Sequence, residues 1–313
     1  MSRIVSLLAS ATDTLDALKL IDNLVGRSHE CDAPEQIMNL PVCTKPKFET
    51  DGSSYEINEK MKAILENSIS VYKVDSKLLE SLKPSHIITQ TQCSVCAVSF
   101  NDLQEIIENK LPTNPKIISL KPNTLEDIFN DILSIGSEFN AQAQAQELIN
   151  NYRQQIRHIQ TQIANINSQQ STKPVVALPV VALIEWLDPL MIASNWMPEI
   201  LDMLNMSYDF AKSGQHSKII QHQDLIRLNP DYIIMVPCGF DIKRTYNEWP
   251  QFAQIKDLNQ TKAYQNKRIF IANGNDYFNR PGPRIMPTIE ILAEIVYGLD
   301  YNHKNKNFIN VFE

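Results

Sequence analysis

The sequence is short of the features that assign a function at a glance. It has 8 glycines and 5 cysteines in 313 residues, and none of the glycines builds a Gly-rich phosphate loop. Its longest clean apolar run, residues 175–184, is interrupted by Pro179 and is far shorter than the ~20 residues that span a bilayer. We therefore predict neither a phosphate-loop enzyme nor a protein inserted in a membrane.

Positive charge is also scarce. The chain carries 29 Lys and Arg against 36 Asp and Glu, a net charge of −7, and no basic stripe of the kind that binds nucleic-acid backbones. Nucleic acid is therefore not expected as a partner. The apolar stretch after Arg3 is about five residues long, below the roughly 7–15 of a signal peptide. On this basis we expect a cytoplasmic protein.

Strand-like and helix-like segments alternate in the first and last thirds, which predicts an α/β fold of two Rossmann-like lobes with parallel sheets. Residues 123–170 differ, because apolar residues recur there at steps of three and four without a proline. This predicts a long connecting helix of roughly 60–70 Å, with a break near residues 141–146, or two antiparallel helices, as alternatives. The predicted domains are residues 1–122, 123–170 and 171–313.

Unusual residues gather just past the predicted strands. The segments concerned are "HECD", "TQCSVC", "WLDPLMIASNW", "PCGFD" and "GNDYFNRPGPR". Ligands of open α/β sheets bind beyond the carboxyl ends of the strands, so these loops predict a binding site. The predicted ligand-binding residues are His29, Glu30, Trp186, Asp188, Asn195, Trp196, Phe240, Tyr277, Phe278, Arg280 and Arg284.

Some of these residues have a structural alternative. Trp186 and Trp196 bracket a loop, where exposed aromatic rings suit a large flat ligand, but both rings could equally anchor the core. Arg280 and Arg284 could bind a carboxylate or phosphate, or brace their own loop. Asp188, Asp241 and Glu30 have no visible catalytic partner, so an enzyme is not favoured, although it is not excluded.

Cys93 and Cys96 form the single C-x-x-C motif of the chain. Such a pair packs or lines a pocket, binds a metal, or does redox chemistry, and the sequence leaves these alternatives open. The predicted metal ligands are His29, Cys31, Cys93, Cys96 and Cys238, for zinc, iron or an iron–sulfur cluster. Cys43 is expected to be structural. In a cytoplasmic protein of this size the five cysteines are not expected to form a disulfide framework, and an odd number leaves at least one thiol free.

Several segments together resemble a known family. "RIVSLLASATDTLDALKL", "VGRSHECDAP", "TQTQCSVCAVS", "WLDPLMIASNWMPE", "PCGFDIKRT" and "NDYFNRPGPR" look like the cobalamin-binding proteins of the helical-backbone solute-binding superfamily. That resemblance implies two α/β lobes joined by one long helix, with a small-molecule ligand held in the cleft between them. It also implies an ABC transporter as partner.

Two main hypotheses follow for function. The first is an intracellular protein that holds a corrinoid such as cobalamin, or a related metal-containing cofactor. Trp186, Trp196, Tyr277 and Phe278 would contact the ring, and His29 or a cysteine would approach the metal. The second is a cytoplasmic metalloprotein or redox enzyme built on the Cys/His cluster. A cytoplasmic sensor that reports the ligand to a protein partner is a third possibility.

Overall fold

The computed structural model describes residues 2–66, 71–90, 100–170 and 177–313. Its contacts divide the chain into two compact units. Unit 1 comprises Met1–Gly52, Glu56–Pro122 and Glu126–Ile149. Unit 2 comprises Ser53–Tyr55, Asn123–Leu125 and Asn150–Glu313. Among the described residues, no helix is both long enough and apolar enough to cross a membrane.

The first part of the chain builds a parallel sheet. Its elements are β1 (Ile4–Ser6), α1 (Ala9–Ala17), β2 (Leu24–Arg27), β3 (Thr44–Pro46), α2 (Ser54–Leu65), β4 (Tyr72–Val74), α3 (Ser76–Leu82), β5 (His86–Gln90), α4 (Phe100–Lys110), β6 (Lys116–Leu120) and α5 (Leu125–Glu138). The strand order is β2-β1-β5-β6, all parallel, while β3 and β4 form a separate antiparallel pair. Ile4, Val5 and Ile87 are fully buried, as expected for strands covered on both faces.

The first helix begins earlier than its sequence suggests. Thr and Asp are favoured helix caps, so the sequence suggests Thr12 or Asp13 as the cap of the first helix, but α1 starts at Ala9 and has no side-chain cap. The reason is that β1 is only three residues long, so the chain turns into the helix at Leu8. The hydroxyl of Thr12 then bonds to the carbonyl of Leu8 inside the first turn.

A long helix, α6 (Gln142–Gln170), connects the two units. Its 29 residues correspond to about 43 Å, shorter than predicted, because the helical stripe is interrupted before it. Asn140 has a left-handed backbone (φ 58°), which ends α5. Gly136 allows the two helices to pack closely, since a Cβ there would lie 2.7 Å from the Cβ of Ala145.

The rest of the chain forms a mixed sheet in unit 2. Its elements are β7 (Val181–Trp186), β8 (Met191–Ile192), α7 (Met197–Met203), β9 (Lys218–Ile219), α8 (His222–Leu228), β10 (Tyr232–Met235), α9 (Ile242–Phe252), α10 (Lys262–Gln265), β11 (Ile269–Ala272), α11 (Ile285–Tyr297) and β12 (Phe308–Asn310). The strand order is β12-β11-β10-β7-β8-β9. Strands β7, β10 and β11 are parallel, and β8, β9 and β12 add antiparallel edges.

The predicted α/β fold with parallel sheets and a long connecting helix is therefore confirmed. Residues 207–213, whose sequence also suggests a short strand, do not form one, and only Ser207 makes a bridge, to Val180. The central strands place their carboxyl ends at Trp186, Met235 and Ala272. The loops that follow them carry most of the candidate residues of unit 2.

Candidate functional site

In unit 1, the loop after β2 is organised by a buried arginine. Arg27 is 7% exposed, and its guanidinium donates to the backbone carbonyls of Ser28, Cys31 and Met38 at 3.0–3.3 Å. Three bonds to carbonyls along the loop fix its path. His29 and Glu30 therefore lie on a loop whose backbone is held by the guanidinium of Arg27.

Thr44 and Tyr72 hold the two predicted ligand-binding residues of this loop. The Oγ1 of Thr44 accepts from the backbone N–H of His29 at 3.1 Å and lies 2.7 Å from its Nδ1. The hydroxyl of Tyr72 donates to Glu30 at 2.7 Å, and its ring lies 5.0 Å from that of His29. Burial lowers the pKa of His29. The imidazole is thus held through Nδ1, and Nε2 has no hydrogen-bond partner among the described residues.

The cysteines of unit 1 are buried thiols. Cys31 is 1% exposed and Cys43 fully buried, and burial raises their pKa to about 11 and about 12. The Sγ of Cys31 contacts the hydroxyl of Thr12 at 3.1 Å. Both thiols are therefore protonated at neutral pH, whereas a metal ligand has to be a thiolate. This agrees with the structural role expected for Cys43.

No metal centre is visible in the described ranges. Within them, no group of three or more His, Cys, Asp and Glu side chains is arranged to hold an ion. Cys238 is an exposed free thiol after β10. Cys93 and Cys96 lie outside the described residues, so their role stays a prediction.

In unit 2, the end of β7 carries an aromatic pair. Trp186 is half-buried, donates through Nε1 to the carbonyl of Asp188 at 3.0 Å, and lies 5.2 Å from the ring of Phe240. Phe240 is only 2% exposed, and the guanidinium of Arg244 lies 3.9 Å above its ring. Phe240 is therefore packed between an indole and a cation, and Trp186 is only partly exposed.

The next loop, Ser194 to Trp196, is where unpartnered polar atoms concentrate. Ser194 Oγ, Asn195 Oδ1 and Trp196 Nε1 are buried and have no hydrogen-bond partner among the described residues. Ser194 is 1% and Trp196 7% exposed, so Trp196 is buried where the loop position predicts an exposed ring. Buried polar groups are nearly always paired in folded proteins. Three unpaired groups in successive residues therefore make this loop the candidate binding edge of unit 2.

The backbone explains how this loop is held while its side chains are unpaired. Asn195 has a left-handed backbone (φ 53°), a conformation that Asn tolerates better than most residues. Its N–H donates to Gln215 and its carbonyl accepts from Gly214, at 2.8 and 2.9 Å. Trp196 precedes α7 as its N-terminal cap residue. The main chain is thus fixed independently of whatever the side chains bind.

After β11, a π-helical turn, Gly274–Phe278, shapes the last loop. Gly274 is obligatory there, because a Cβ would lie 2.2 Å from the carbonyl oxygen of Pro237. Phe278 is 2% exposed and belongs to the core, while Tyr277 is half-buried, which raises its pKa. This turn supplies the carbonyl of Asn275 and the carboxylate of Asp276, which the arginines of the loop contact.

The arginines of this loop make bracing contacts. Arg280 is 5% exposed, and its Nε donates to the carbonyl of Asn275 at 2.8 Å. Arg280 and Arg284 both approach Asp276, at 3.9 and 3.7 Å. These contacts match the bracing alternative, and a role of either arginine in ligand binding stays a prediction.

Sequence reasoning missed the residues that contact the candidate site but lie far from it along the chain. Thr44 and Tyr72 lie 15 and 42 positions from the residues they hold, and no local motif marks such a pair. Arg27 is also missed, because a basic residue that ends a strand gives no sign of being buried. Asp188 is found at its predicted loop, where its carbonyl receives the indole N–H of Trp186.

The profile of the family described as "Periplasmic binding protein" matches residues 4–275, so the chain belongs to the periplasmic binding protein family. It is 21% identical over 300 residues to YvrC of Bacillus subtilis, an uncharacterized ABC transporter substrate-binding lipoprotein, with 94% of this chain and 80% of that protein covered. The chain is a solute-binding protein of this family.

Two solved structures illustrate the fold. IsdE of Staphylococcus aureus, complexed with heme, superimposes with a TM-score of 0.70 at 17% identity, covering 95% of this chain and 99% of that one. The periplasmic vitamin B12 binding protein BtuF of Vibrio cholerae gives 0.65 at 18% identity, covering 95% and 96%. At such identities the comparison establishes the fold and leaves the ligand to be argued from the site.

The expected cytoplasmic location is wrong. The Bacillus subtilis relative is a lipoprotein, and the structural neighbours include periplasmic proteins, so these proteins act outside the cytoplasm. The expectation rested on the short apolar stretch after Arg3. That stretch forms β1, a strand of the sheet core, and its length therefore carries no information about export.

Proposed function

We propose that this protein binds a corrinoid outside the cytoplasm and presents it to an ABC transporter. The observation that carries the proposal is the run of three unpartnered buried groups at Ser194, Asn195 and Trp196. They lie one short strand after Trp186, which is partly exposed. An aromatic surface beside unsatisfied polar groups suits a large ligand with a flat ring and a polar edge.

The chemistry of the three groups favours a carboxamide at that edge. Asn195 Oδ1 accepts a hydrogen bond, Trp196 Nε1 donates one, and the Ser194 hydroxyl can do either. A carboxamide offers both an N–H and a carbonyl, so a single group can pair with Asn195 and Trp196. Corrinoids carry carboxamides around their ring. The carboxylates of haem only accept at neutral pH and would leave Asn195 Oδ1 unpaired, at a cost of about 1–3 kcal/mol.

Related proteins support the class of ligand and the partner. Proteins of this fold include haem-binding and vitamin B12-binding members, and the Bacillus subtilis relative is named as an ABC transporter component. His29 remains the predicted ligand of the corrinoid metal. Its imidazole is biased to the neutral form by burial, and a neutral imidazole nitrogen is a common metal ligand.

The test is a titration with hydroxocobalamin and, separately, with hemin, followed by tryptophan fluorescence and the ligand's visible spectrum. We expect saturable binding of the corrinoid, tighter than that of hemin. Asn195→Gly should weaken corrinoid binding roughly 3- to 10-fold, since one hydrogen bond is worth about 0.5–1.5 kcal/mol, and should leave hemin binding unchanged.

A matched control is available in the same unit. Asn205 is exposed and has the same left-handed backbone (φ 55°), so Asn205→Gly makes the same chemical and backbone change away from the site. It should bind the corrinoid as the wild type does. Tighter binding of hemin than of hydroxocobalamin, or equal losses in the two variants, would refute the assignment of a corrinoid to this loop.

A further inference from the structure

Unit 2 contains a polar groove that is separate from the strand ends described above. It has a volume of about 430 Å³ and lies between α6, α11 and the segment that follows α11. Its lining residues are Asn151, Gln154, Gln155, His158, Ile159, Glu290 and Tyr301. A volume of this order is within the range of small-molecule sites.

One side of the groove is a face of the long helix. Asn151, Gln154, Gln155 and His158 follow one another at spacings that place them on the same helical face. Within the described part of the chain, none of their side chains makes a hydrogen bond. Ile159, which is 2% exposed, forms an apolar floor. The wall is therefore a row of neutral donors and acceptors that are available to a ligand.

The opposite side supplies the charge. Glu290 is the only acidic side chain of the lining. Its Oε2 accepts from Nε2 of His303 at 3.1 Å. Nδ1 of His303 lies 2.6 Å from the side-chain amide nitrogen of Asn307, so both ring nitrogens are engaged. Oε1 of Glu290 has no hydrogen-bond partner among the described residues. His303 thus holds one carboxylate oxygen at the groove, and the other oxygen is available to a ligand.

Tyr301 closes the lining with its ring. Its hydroxyl donates to Gln162 at 2.7 Å, which fixes the side chain and occupies its proton. Tyr301 also belongs to the lining of the groove, and aromatic faces attract cations. Together the groove offers one negative charge, several amides, an aromatic face and a small apolar floor.

We propose that this groove is a second ligand site, for a small organic cation that carries hydroxyl groups, with an amino sugar as the simplest class. The ammonium pairs with Oε1 of Glu290, since hydrogen bonds between ionised groups are about twice as strong as neutral ones. The hydroxyl groups bond to Gln154, Gln155 and the neighbouring amides, which both donate and accept. The proposal does not depend on the identity of the solute bound at the strand ends.

The experiment uses glucosamine as the probe and glucose as its neutral analogue. Backbone amide NMR shifts of the full-length protein follow each titration near pH 7. We expect saturable shifts at residues 151–159 with glucosamine, and about 10-fold weaker binding of glucose. Glu290→Gln should weaken glucosamine binding about 10-fold and bring it to the level of glucose, because it removes the charge and keeps the shape.

Two further variants keep the result interpretable. Glu80→Gln changes an exposed carboxylate of unit 1 and should bind glucosamine as the wild type does. The Gln154→Ala, Gln155→Ala double variant alters exposed positions only and should weaken the binding of both sugars. It tests the groove independently of any effect of Glu290→Gln on the contact with His303. Three results would each overturn the proposal. The wild type could show no saturable shifts, the two sugars could bind equally well, or Glu290→Gln and Glu80→Gln could lose equal glucosamine affinity.

Discussion

Oγ1 of Thr44 lies 2.7 Å from Nδ1 of His29, and this contact sets the orientation of the imidazole. The same oxygen is 3.0 Å from the hydroxyl of Ser28. A single buried threonine, the first residue of β3, is therefore linked to the start of the loop that follows β2. Ser28 and His29, two neighbouring residues of that loop, both hydrogen-bond to it.

Thr44→Val should lower the free energy of unfolding by about 1–3 kcal/mol, because it leaves buried donors of the loop without an acceptor. Urea denaturation followed by circular dichroism measures the change. Thr161→Val is the control, since Thr161 is exposed on α6 and its hydroxyl bonds only within the helix. A loss no larger than that of Thr161→Val would show that the Thr44 contacts contribute nothing to stability.

The protein should lose stability in acid partly through His29. Burial lowers the pKa of His29 below its ordinary value of 6.5, so the unfolded chain binds this proton at a higher pH than the folded protein does. Stability that depends on this group is complete above pH 6.5 and falls as the pH drops towards the folded pKa. The drop in unfolding free energy between about pH 7.5 and 5.5 should be smaller in His29→Gln than in wild type. Exposed His158→Gln should retain the full wild-type drop, and an unchanged drop in His29→Gln would contradict the prediction.

Thiol reactivity should separate the cysteines. In a protein carrying Cys93→Ser and Cys96→Ser, a thiol reagent near pH 8 should modify Cys238 rapidly, because it is exposed. Cys31 and Cys43 should react only after denaturation, since their pKa values of about 11 and about 12 and their burial suppress the thiolate. Adding Cys238→Ser should abolish the fast phase. Fast modification that persists in that variant would mean that Cys31 or Cys43 is accessible.

Gly136→Ala should destabilise the protein, although Ala normally exceeds Gly in helix stability by up to ~1 kcal/mol. The added Cβ would lie 2.7 Å from the Cβ of Ala145 and 3.0 Å from the carbonyl oxygen of Ala141, and overpacking of this kind costs about 1–3 kcal/mol. Ser137→Ala, at the exposed next position, is the control and should be neutral or stabilising. A gain in melting temperature for Gly136→Ala would show that α5 and α6 can separate without cost.

The sequence was most informative where burial decides the structure. Strands such as β5 and β10 are short apolar runs, and they form where the pattern predicts them. The two-residue strands β8 and β9 and the π-helical turn were not predicted, because they depend on pairing and packing with distant segments. The break predicted near residues 141–146 lies at the start of that range, between Glu138 and Gln142, and its exact position is set by the left-handed backbone of Asn140.

For the candidate site, the sequence predicted which loops carry the residues, but it did not predict which side chains are exposed. The loops that follow β2, β7 and β11 do carry the expected residues. Trp196, Phe240 and Phe278 nevertheless turn inwards, because each packs against side chains that a linear pattern does not reveal. The unpaired atoms of Ser194 and Asn195 are a tertiary property, visible only once the surrounding chain is in place.

The close approach at Gly274 has a consequence for exchanging parts between relatives. A side chain at 274 would collide with the backbone of Val236 and Pro237. A chimera that imports residues 274–284 from a relative with a side chain at position 274 must therefore import residues 236–237 as well. A relative with glycine at that position can donate the loop alone.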